Sequence, residues 1–354
     1  MSRFWNPLVA QLDPYVPGEQ PNTADWIKLN TNENPYGPSP AAVAAGRAAA
    51  DERLRRYPDP NATALKDAIA ALHGVNRDNV FVGNGSDEVL AHTFLALLKQ
   101  DKPILLPDIS YSFYPVYCRL YRIAYDAIAV NVRFEINLDD YRRPNGGVIF
   151  ANPNAPTAHL LTPTAIETFL QHNTYSVVVV DEAYIDFGGI SVIPLIRRYP
   201  NLLIVQTVSK SRALAGLRVG FAIGDAALIE GLERVKNSFN SYPLDHFAIQ
   251  ATVAALADQA HFDSTRRRIV ASRAWLTETL AGMGFEVLPS HANFILTRHP
   301  RHDARALYQA LRARGILVRH FNLPRIDQHV RISIGTEAQC QALVAALRDH
   351  MAHG

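Results

Sequence analysis

The stretch Ser209-Lys-Ser-Arg-Ala-Leu-Ala-Gly-Leu-Arg-Val-Gly220 decides how the chain is read. It follows a β-branched run, Leu202 to Val208, that predicts a buried strand. A lysine at the C-terminal end of such a strand is out of place unless it has a task, although a surface lysine in a loop is the commoner case. Eight residues on, Arg218 opens a second strand-like run, Val219 to Ile223. A desolvated lysine with an arginine nearby can have its pKa lowered enough to act as a nucleophilic amine. Lys210 is therefore a candidate for Schiff-base chemistry with a carbonyl cofactor. The chain has only six lysines, and Lys210 alone directly follows a strongly apolar strand.

Outward from this stretch the chain alternates. Strands are expected at Val80 to Val82, Ile104 to Leu106, Ala127 to Val130, Val148 to Ala151 and Ser176 to Val180. Helices are expected from about Ala62 to His73, from Gly83-Asn-Gly-Ser-Asp-Glu88 to near Leu98, and from Thr164 to His172. This alternation predicts an α/β fold with a mostly parallel sheet covered by helices. Ahead of it, Ser39 reads as an N-cap and Pro40 as the first residue of an Ala-rich helix. Pro7, Pro14, Pro17 and Pro21 rule out one long helix near the start and predict an extended arm.

Beyond about residue 240 the pattern changes. Long helices, about Asp245 to Asp258 and Phe262 to Ala281, precede short strands at Phe285 to Leu288 and Asn293 to Thr297. A helix from Ala304 to Arg314, a strand around Val330 to Ile334 and a last helix from Glu337 complete the chain. The expected division is an N-terminal arm (1–30), a large domain (31–240) and a smaller α+β C-terminal domain (241–354).

At 354 residues, 48% apolar and 19% charged, the chain can bury a substantial core. A formal net charge of +2 argues against a dedicated nucleic-acid surface or a polybasic membrane surface. No apolar run approaches a membrane span, and the opening Met-Ser-Arg-Phe-Trp-Asn-Pro lacks a signal core, so a cytoplasmic protein is expected. Cys118 and Cys340 are far apart and make neither a disulfide framework nor a metal motif. The histidines show no ligand spacing, and no metal is expected. The basic residues are mostly arginine, which favours planar anions such as carboxylate and phosphate.

In an open α/β sheet the active crevice lies beyond the carboxyl ends of the strands, and the unusual polar residues stand there. Gly85-Ser86-Asp87-Glu88 opens a helix, where free amides and the helix dipole make an anion site. Ser86 or Asp87 as a simple cap fits equally. Asp181 follows four valines, where an ionised carboxylate needs a partner. It is either a structural cap or the partner of a pyridinium nitrogen. Tyr184 could donate to a ring oxygen, and Tyr111 offers a face to a flat ring, against the commoner reading of both as core aromatics. Arg218 suits a phosphate and Arg331 a carboxylate, unless both are surface ion pairs.

Ten segments in order carry a resemblance: Pro14-Tyr-Val-Pro-Gly18, Leu29-Asn-Thr-Asn-Glu-Asn-Pro35, Arg56-Tyr-Pro-Asp59, Gly83-Asn-Gly-Ser-Asp-Glu88, Asn152-Pro-Asn-Ala-Pro-Thr157, Asp181-Glu-Ala-Tyr184, Ser209-Lys-Ser-Arg212, Gly216-Leu-Arg-Val-Gly220, Gly315-Ile-Leu-Val-Arg319 and Val330-Arg-Ile-Ser-Ile-Gly-Thr336. Together they resemble the fold type I pyridoxal-phosphate enzymes, and among these the histidinol-phosphate aminotransferase family. The resemblance implies a large domain with a seven-stranded sheet and pyridoxal 5'-phosphate as cofactor. It implies transamination of histidinol phosphate with 2-oxoglutarate, giving glutamate, in histidine biosynthesis, and a homodimer with shared sites. It makes Lys210 the Schiff-base lysine and general base, Asp181 the partner of the pyridine nitrogen, and Tyr184 the donor to the phenolic oxygen. Tyr111 stacks on the ring, and Ser86, Asp87, Ser209 and Arg218 surround the phosphate. Tyr57 reaches that phosphate from the neighbouring subunit. Arg331 takes an amino-acid carboxylate and Arg319 a substrate phosphate, while Tyr15 and Asn34 border the substrate. The family's asparagine at the ring oxygen is here Ala155, leaving Asn154 or Asn152 as substitutes, and Ala158 in place of glycine implies a slightly different turn. Two other enzymes on the same scaffold, an aromatic amino-acid aminotransferase and a threonine-phosphate decarboxylase, remain alternatives. A non-catalytic binding protein has no need of Lys210, Asp181 and Arg218 together.

Overall fold

Strands form where the apolar runs are. The computed structural model describes residues 2–21 and 25–353; residues 1 and 22–24 of the expected arm, and residue 354, lie outside the described residues. In chain order the elements are β1 (Ile27–Lys28), α1 (Pro40–Ala48), α2 (Thr63–His73), β2 (Val80–Asn84), α3 (Gly85–Thr93), β3 (Ile104–Pro107), α4 (Tyr114–Tyr121), β4 (Tyr125–Ile128), β5 (Val148–Ala151), α5 (Pro163–His172), β6 (Val178–Asp181), β7 (Leu202–Thr207) and β8 (Val219–Gly224). Then come α6 (Ala226–Phe239), α7 (His246–Ala257), α8 (Gln259–Gly282), β9 (Glu286–Val287), β10 (Phe294–Arg298), α9 (Ala304–Ala313), β11 (Ile316–Leu317), β12 (Arg319–His320), β13 (Val330–Ser333) and α10 (Glu337–His353).

Seven strands make the main sheet, in the order β2-β8-β7-β6-β5-β3-β4. Strands β7, β6, β5, β3 and β4 are parallel, whereas β8 runs antiparallel to both β7 and β2. Every residue of β6, β7 and β8 is buried, which is why these runs read as continuously apolar rather than alternating. The two-residue period still sorts their side chains. Val178, Val180, Leu202 and Ile204 pack on one face, and Val179, Leu203 and Val205 on the other. Each such side chain contributes about 1.5–3 kcal/mol by leaving water.

A second, antiparallel sheet, β12-β13-β10-β9, packs against α8, α9 and α10 through Ile295, Ile332, Leu276, Leu307 and Leu343. The pair β1–β11 ties residues 27 and 28, near the end of the expected N-terminal arm, to this part of the molecule. Ser39 caps α1 as its sequence predicts, accepting from Ala41 and Ala42 with Pro40 at the first position.

Three differences have physical reasons. Strand β4 begins at Tyr125, not Ala127, because it is an edge strand whose first three residues are exposed, and its ladder with Ile104 leaves no apolar signature. Helix α6, which the apolar pattern leaves without an element, buries only Ile229, Leu232 and Lys236. At the start of α3, neither Ser86 nor Asp87 caps; the N-cap is Asn84, with no side-chain bond.

The antiparallel β8 shapes the functional edge of the sheet. A short connection from β7 cannot cross to a parallel neighbour, so the chain turns back. Thr207 at the end of β7 lies opposite Gly220, and Asn84 at the end of β2 lies opposite Val219. The start of β8, with Arg218 just before it, therefore joins the carboxyl ends of the parallel strands.

Candidate active site

A cavity of about 890 Å3 opens at that edge, between the two sheets. Its wall includes Lys210, Asp181, Tyr184, Tyr111, Ser86, Asp87, Ser209, Arg218, Tyr15, Arg319 and Arg331, so the structure brings together most of the residues singled out in the sequence.

The α3 end of the cavity is an anion cradle. The strand β8 lies so close to the start of α3 that a Cβ on Gly220 would stand 2.2 Å from the Ser86 amide nitrogen. Only glycine permits this approach, and the start of α3, where helix amides lack intrahelical partners and the dipole is positive, lines the cavity at Ser86 and Asp87. Gly85 takes a left-handed φ of 79°, and a Cβ there would strike the Arg218 guanidinium. Arg218 Nη2 donates to Asp87 Oδ2 at 2.9 Å, and Asp87 Oδ1 accepts the Tyr111 hydroxyl at 2.8 Å. Asp87 thus uses its charge to orient Arg218 and Tyr111. The Thr207 hydroxyl lies 2.9 Å from Ser209 Oγ, which fixes Ser209 in the same cradle.

Lys210 sits between this cradle and the second sheet. Its Nζ donates to the Thr31 carbonyl at 3.2 Å and stands 6.0 Å from the Tyr184 ring centroid. Burial pushes its pKa down to about 8, with the Arg331 charge next and Arg218 last among the causes. Arg218 also lowers it, but is turned toward Asp87, and Arg331 is the stronger cationic neighbour.

Asp181, the last residue of β6, is a buried carboxylate with no cationic side chain paired to it among the described residues. It accepts the Tyr114 hydroxyl at 2.8 Å and the Ala183 amide at 3.1 Å. Burial raises its pKa to about 6, and the Tyr114 and Ala183 bonds pull it down. A carboxylate so placed can hold a proton on a ligand nitrogen. Replacing Tyr114 with phenylalanine is expected to destabilise the free protein by about 1–2 kcal/mol at pH 8. The loss is smaller at pH 5, because the group is charged above its raised pKa and neutral below it. Urea unfolding at the two pH values checks this; equal losses would show that Tyr114 does not bond the charged form.

At the opposite end, Arg319 on β12 lies directly across from Arg331 on β13. Arg331 Nη2 donates to the Asn30 carbonyl at 2.8 Å, and its Nε is buried without a partner. Neither arginine forms an ion pair among the described residues. Two adjacent guanidinium groups lacking a carboxylate make a site for an anionic ligand.

Four candidates lie outside the wall. Asn154 is fully buried, donates to the Ile109 carbonyl and to Thr157, and accepts from Ser110. Asn152 is likewise held by the backbone of Leu161. Ala155 and Pro156 line the cavity there instead. Ala158 takes a left-handed φ of 60°, the region glycine favours, so the alanine does not move the turn out of it. Asn34 donates to the carbonyls of Lys210 and Ser211, bracing the lysine loop from behind. Tyr57 is 80% exposed and stacks on Tyr242, away from its own cavity.

Sequence reasoning missed Tyr114, Asn32 and Gly220. Tyr114 carries no signal beyond an aromatic in a helix, and its role appears only when α4 packs beneath β6. Asn32 lies in the quoted asparagine-rich segment, where five polar residues in a row hide which one turns inward.

The comparisons with known proteins agree with this geometry. The histidinol-phosphate aminotransferase 1 of Methylococcus capsulatus is 61% identical over 352 residues, covering 99% of this chain and 99% of that protein. The histidinol-phosphate aminotransferase 2 of Dechloromonas aromatica is 62% identical over 352 residues, covering 98% of this chain and 99% of that one. The crystal structure of histidinol-phosphate aminotransferase from Sinorhizobium meliloti in complex with pyridoxal-5'-phosphate superposes with a TM-score of 0.88 at 24% identity, covering 99% of this chain and 98% of that one. The family model for aminotransferase class I and II matches residues 24–347. With a half-buried lysine, an anion cradle and paired arginines converging on the strand ends of this fold, the chain belongs to the class I and II aminotransferases.

Proposed function

We propose that this protein transfers the amino group of L-histidinol phosphate to 2-oxoglutarate, giving imidazole-acetol phosphate and L-glutamate in histidine biosynthesis, with pyridoxal 5'-phosphate as cofactor. The observation that carries the reading is the arginine pair, Arg319 and Arg331, without a carboxylate partner among the described residues, facing a half-buried lysine of lowered pKa in a chain about 60% identical to histidinol-phosphate aminotransferases over its full length.

The residues present fit the cofactor. The free amides at Ser86, the Ser209 hydroxyl and the Arg218 guanidinium suit a phosphate dianion, and the uncompensated Asp181 suits a protonated ring nitrogen. When bound, pyridoxal phosphate supplies an electron-withdrawing ring that acidifies the C–H bond beside the substrate amine. Lys210 anchors the carbonyl and then, as a free amine, moves the proton at that carbon. Asp181 keeps the ring nitrogen protonated, Tyr184 donates to the ring oxygen, and Tyr111 covers the ring face. Arg319 takes the substrate phosphate. Arg331 takes a carboxylate of 2-oxoglutarate in the other half-reaction, and Tyr15 borders the substrate. Tyr57, which does not reach its own cavity, serves the phosphate of a second copy in a homodimer. No helix among the described residues is long and apolar enough to cross a membrane, and we place the protein in the cytoplasm.

A half-reaction assay tests the substrate. The visible absorption of the loaded protein is expected to bleach rapidly with histidinol phosphate, and at least tenfold more slowly with phenylalanine, tyrosine or threonine phosphate at equal concentration. Bleaching by an aromatic amino acid but not by histidinol phosphate would reject the assignment. Release of carbon dioxide from threonine phosphate would favour the decarboxylase.

A further inference from the structure

Asn32 is the one non-glycine residue of the cavity wall that combines a left-handed backbone with near-complete burial and a side chain bonded to Tyr184. Its φ is 56°, a conformation asparagine tolerates better than most residues. Four hydrogen bonds meet on it. Its amide nitrogen reaches Ser333 Oγ at 2.8 Å, and Ser333 Oγ lies 2.9 Å from Asn32 Oδ1. Asn32 Nδ2 lies 3.0 Å from the Tyr184 hydroxyl, and the Asn32 carbonyl accepts from Asn293 Nδ2 at 2.9 Å.

The directions of these bonds are set by the groups that have no choice. A backbone N–H can only donate, so Ser333 Oγ accepts from Asn32. The Ser333 hydroxyl is buried and meets no other acceptor among the described residues, so its one proton goes to the Asn32 side chain, and the atom it meets there is the acceptor oxygen. That fixes the orientation of the amide, and its NH2 group faces Tyr184. The Tyr184 oxygen therefore accepts, and its own proton is left free. Among the described residues no side chain or carbonyl takes that proton, and Tyr184 lines the cavity above Lys210.

We infer that Asn32 is a positioning residue, which, locked by Ser333, aims the Tyr184 proton into the cavity. The inference rests on the proposed cofactor, whose ring oxygen is the acceptor that Tyr184 then meets. Ser333 stands two residues from Arg331 on β13, so both side chains leave the same face of one strand. The strand that grips the substrate anion thus also sets the direction of the Tyr184 bond.

The test inverts the polarity of Asn32 without changing its shape. In Asn32→Asp the carboxylate can only accept, and it draws the Tyr184 proton away from the cavity. A donor on the ring oxygen weakens the hold of that oxygen and the lysine nitrogen on their shared proton; losing the donor strengthens it. The pH midpoint of the bound cofactor's visible absorption change is expected to rise by about one unit in Asn32→Asp. Asn32→Gly, which keeps the left-handed backbone unstrained and adds no charge, is expected to raise it by less. In a Tyr184→Phe background Asn32→Gly is expected to shift nothing, since its effect passes through the hydroxyl. Thermal melts of the free variants verify folding. An Asn32→Asp midpoint equal to wild type overturns the inference, as does an Asn32→Gly shift undiminished in the Tyr184→Phe background. A wild-type protein that develops no visible band with pyridoxal phosphate would overturn the cofactor reading itself, an outcome distinct from either.

Discussion

Lys210→Ala is expected to lose at least roughly 10^4-fold in turnover while keeping its fold. Lys210 is the only lysine in the cavity wall, so no second amine is at hand to replace it in anchoring the carbonyl or moving the proton. The variant should not be destabilised, because the partly desolvated ammonium costs the folded state stability. Burial lowers the lysine pKa from 10.5 to about 8 in the folded protein. Below pH 8 the ammonium is protonated in both states, and the folded state bears the full cost of desolvating it. Between pH 8 and 10.5 the folded protein sheds that proton first, so wild-type stability rises with pH. Cofactor-free Lys210→Ala should therefore melt at or above wild type at pH 7, with the advantage shrinking as the pH rises toward 10.5. Turnover close to wild type would remove Lys210 from the chemistry. A large drop in melting temperature would mean that its bond to the Thr31 carbonyl holds the loop.

Asp181→Asn is expected to lower kcat by roughly 10^2–10^4-fold. An amide matches the carboxylate in shape and can still accept from Tyr114, but it cannot stabilise a positive charge on a ring nitrogen. The effect belongs to charge rather than to packing, so Asp181→Asn should fold as well as wild type or better, since a desolvated carboxylate has been removed. The wild type should also show a pH dependence. With a pKa raised to about 6 by burial, Asp181 in the free protein is charged above that pH and neutral below it. Cofactor affinity should fall as the pH drops below 6, and Asp181→Asn should lose that dependence. Equilibrium binding of pyridoxal phosphate between pH 5 and 8 measures both. An Asp181→Asn profile that keeps the acid limb would assign it to another group.

Not everything in the site was equally legible. Lys210 and Asp181 stood out because each is a charged residue ending a run of buried strand, where desolvation makes a charge costly unless it has a partner. Glycine at 220 and the antiparallel turn of β8 were not legible. One depends on how closely two backbones approach, the other on which neighbour a strand chooses after a short connection. Asn154 shows the opposite error. An asparagine in the right segment was a reasonable stand-in for the one missing at Ala155, but its side chain is occupied by Ile109, Ser110 and Thr157 and faces the core.

By itself the sequence determined the alternation of strands and helices, the charged residues at the strand ends and the family. These are local matters: periodicity, capping and the rarity of charge beside a buried run. Only the tertiary structure decided that Arg319 and Arg331 are neighbours, that Arg331 presses on the lysine more than Arg218 does, that Tyr114 holds Asp181, and that Asn32 turns its amide to Tyr184. Each of these depends on contacts between residues far apart in the chain, up to 301 positions for Asn32 and Ser333. Hydrogen-bond direction and charge proximity are set by the packing of whole elements, which no single stretch of sequence records.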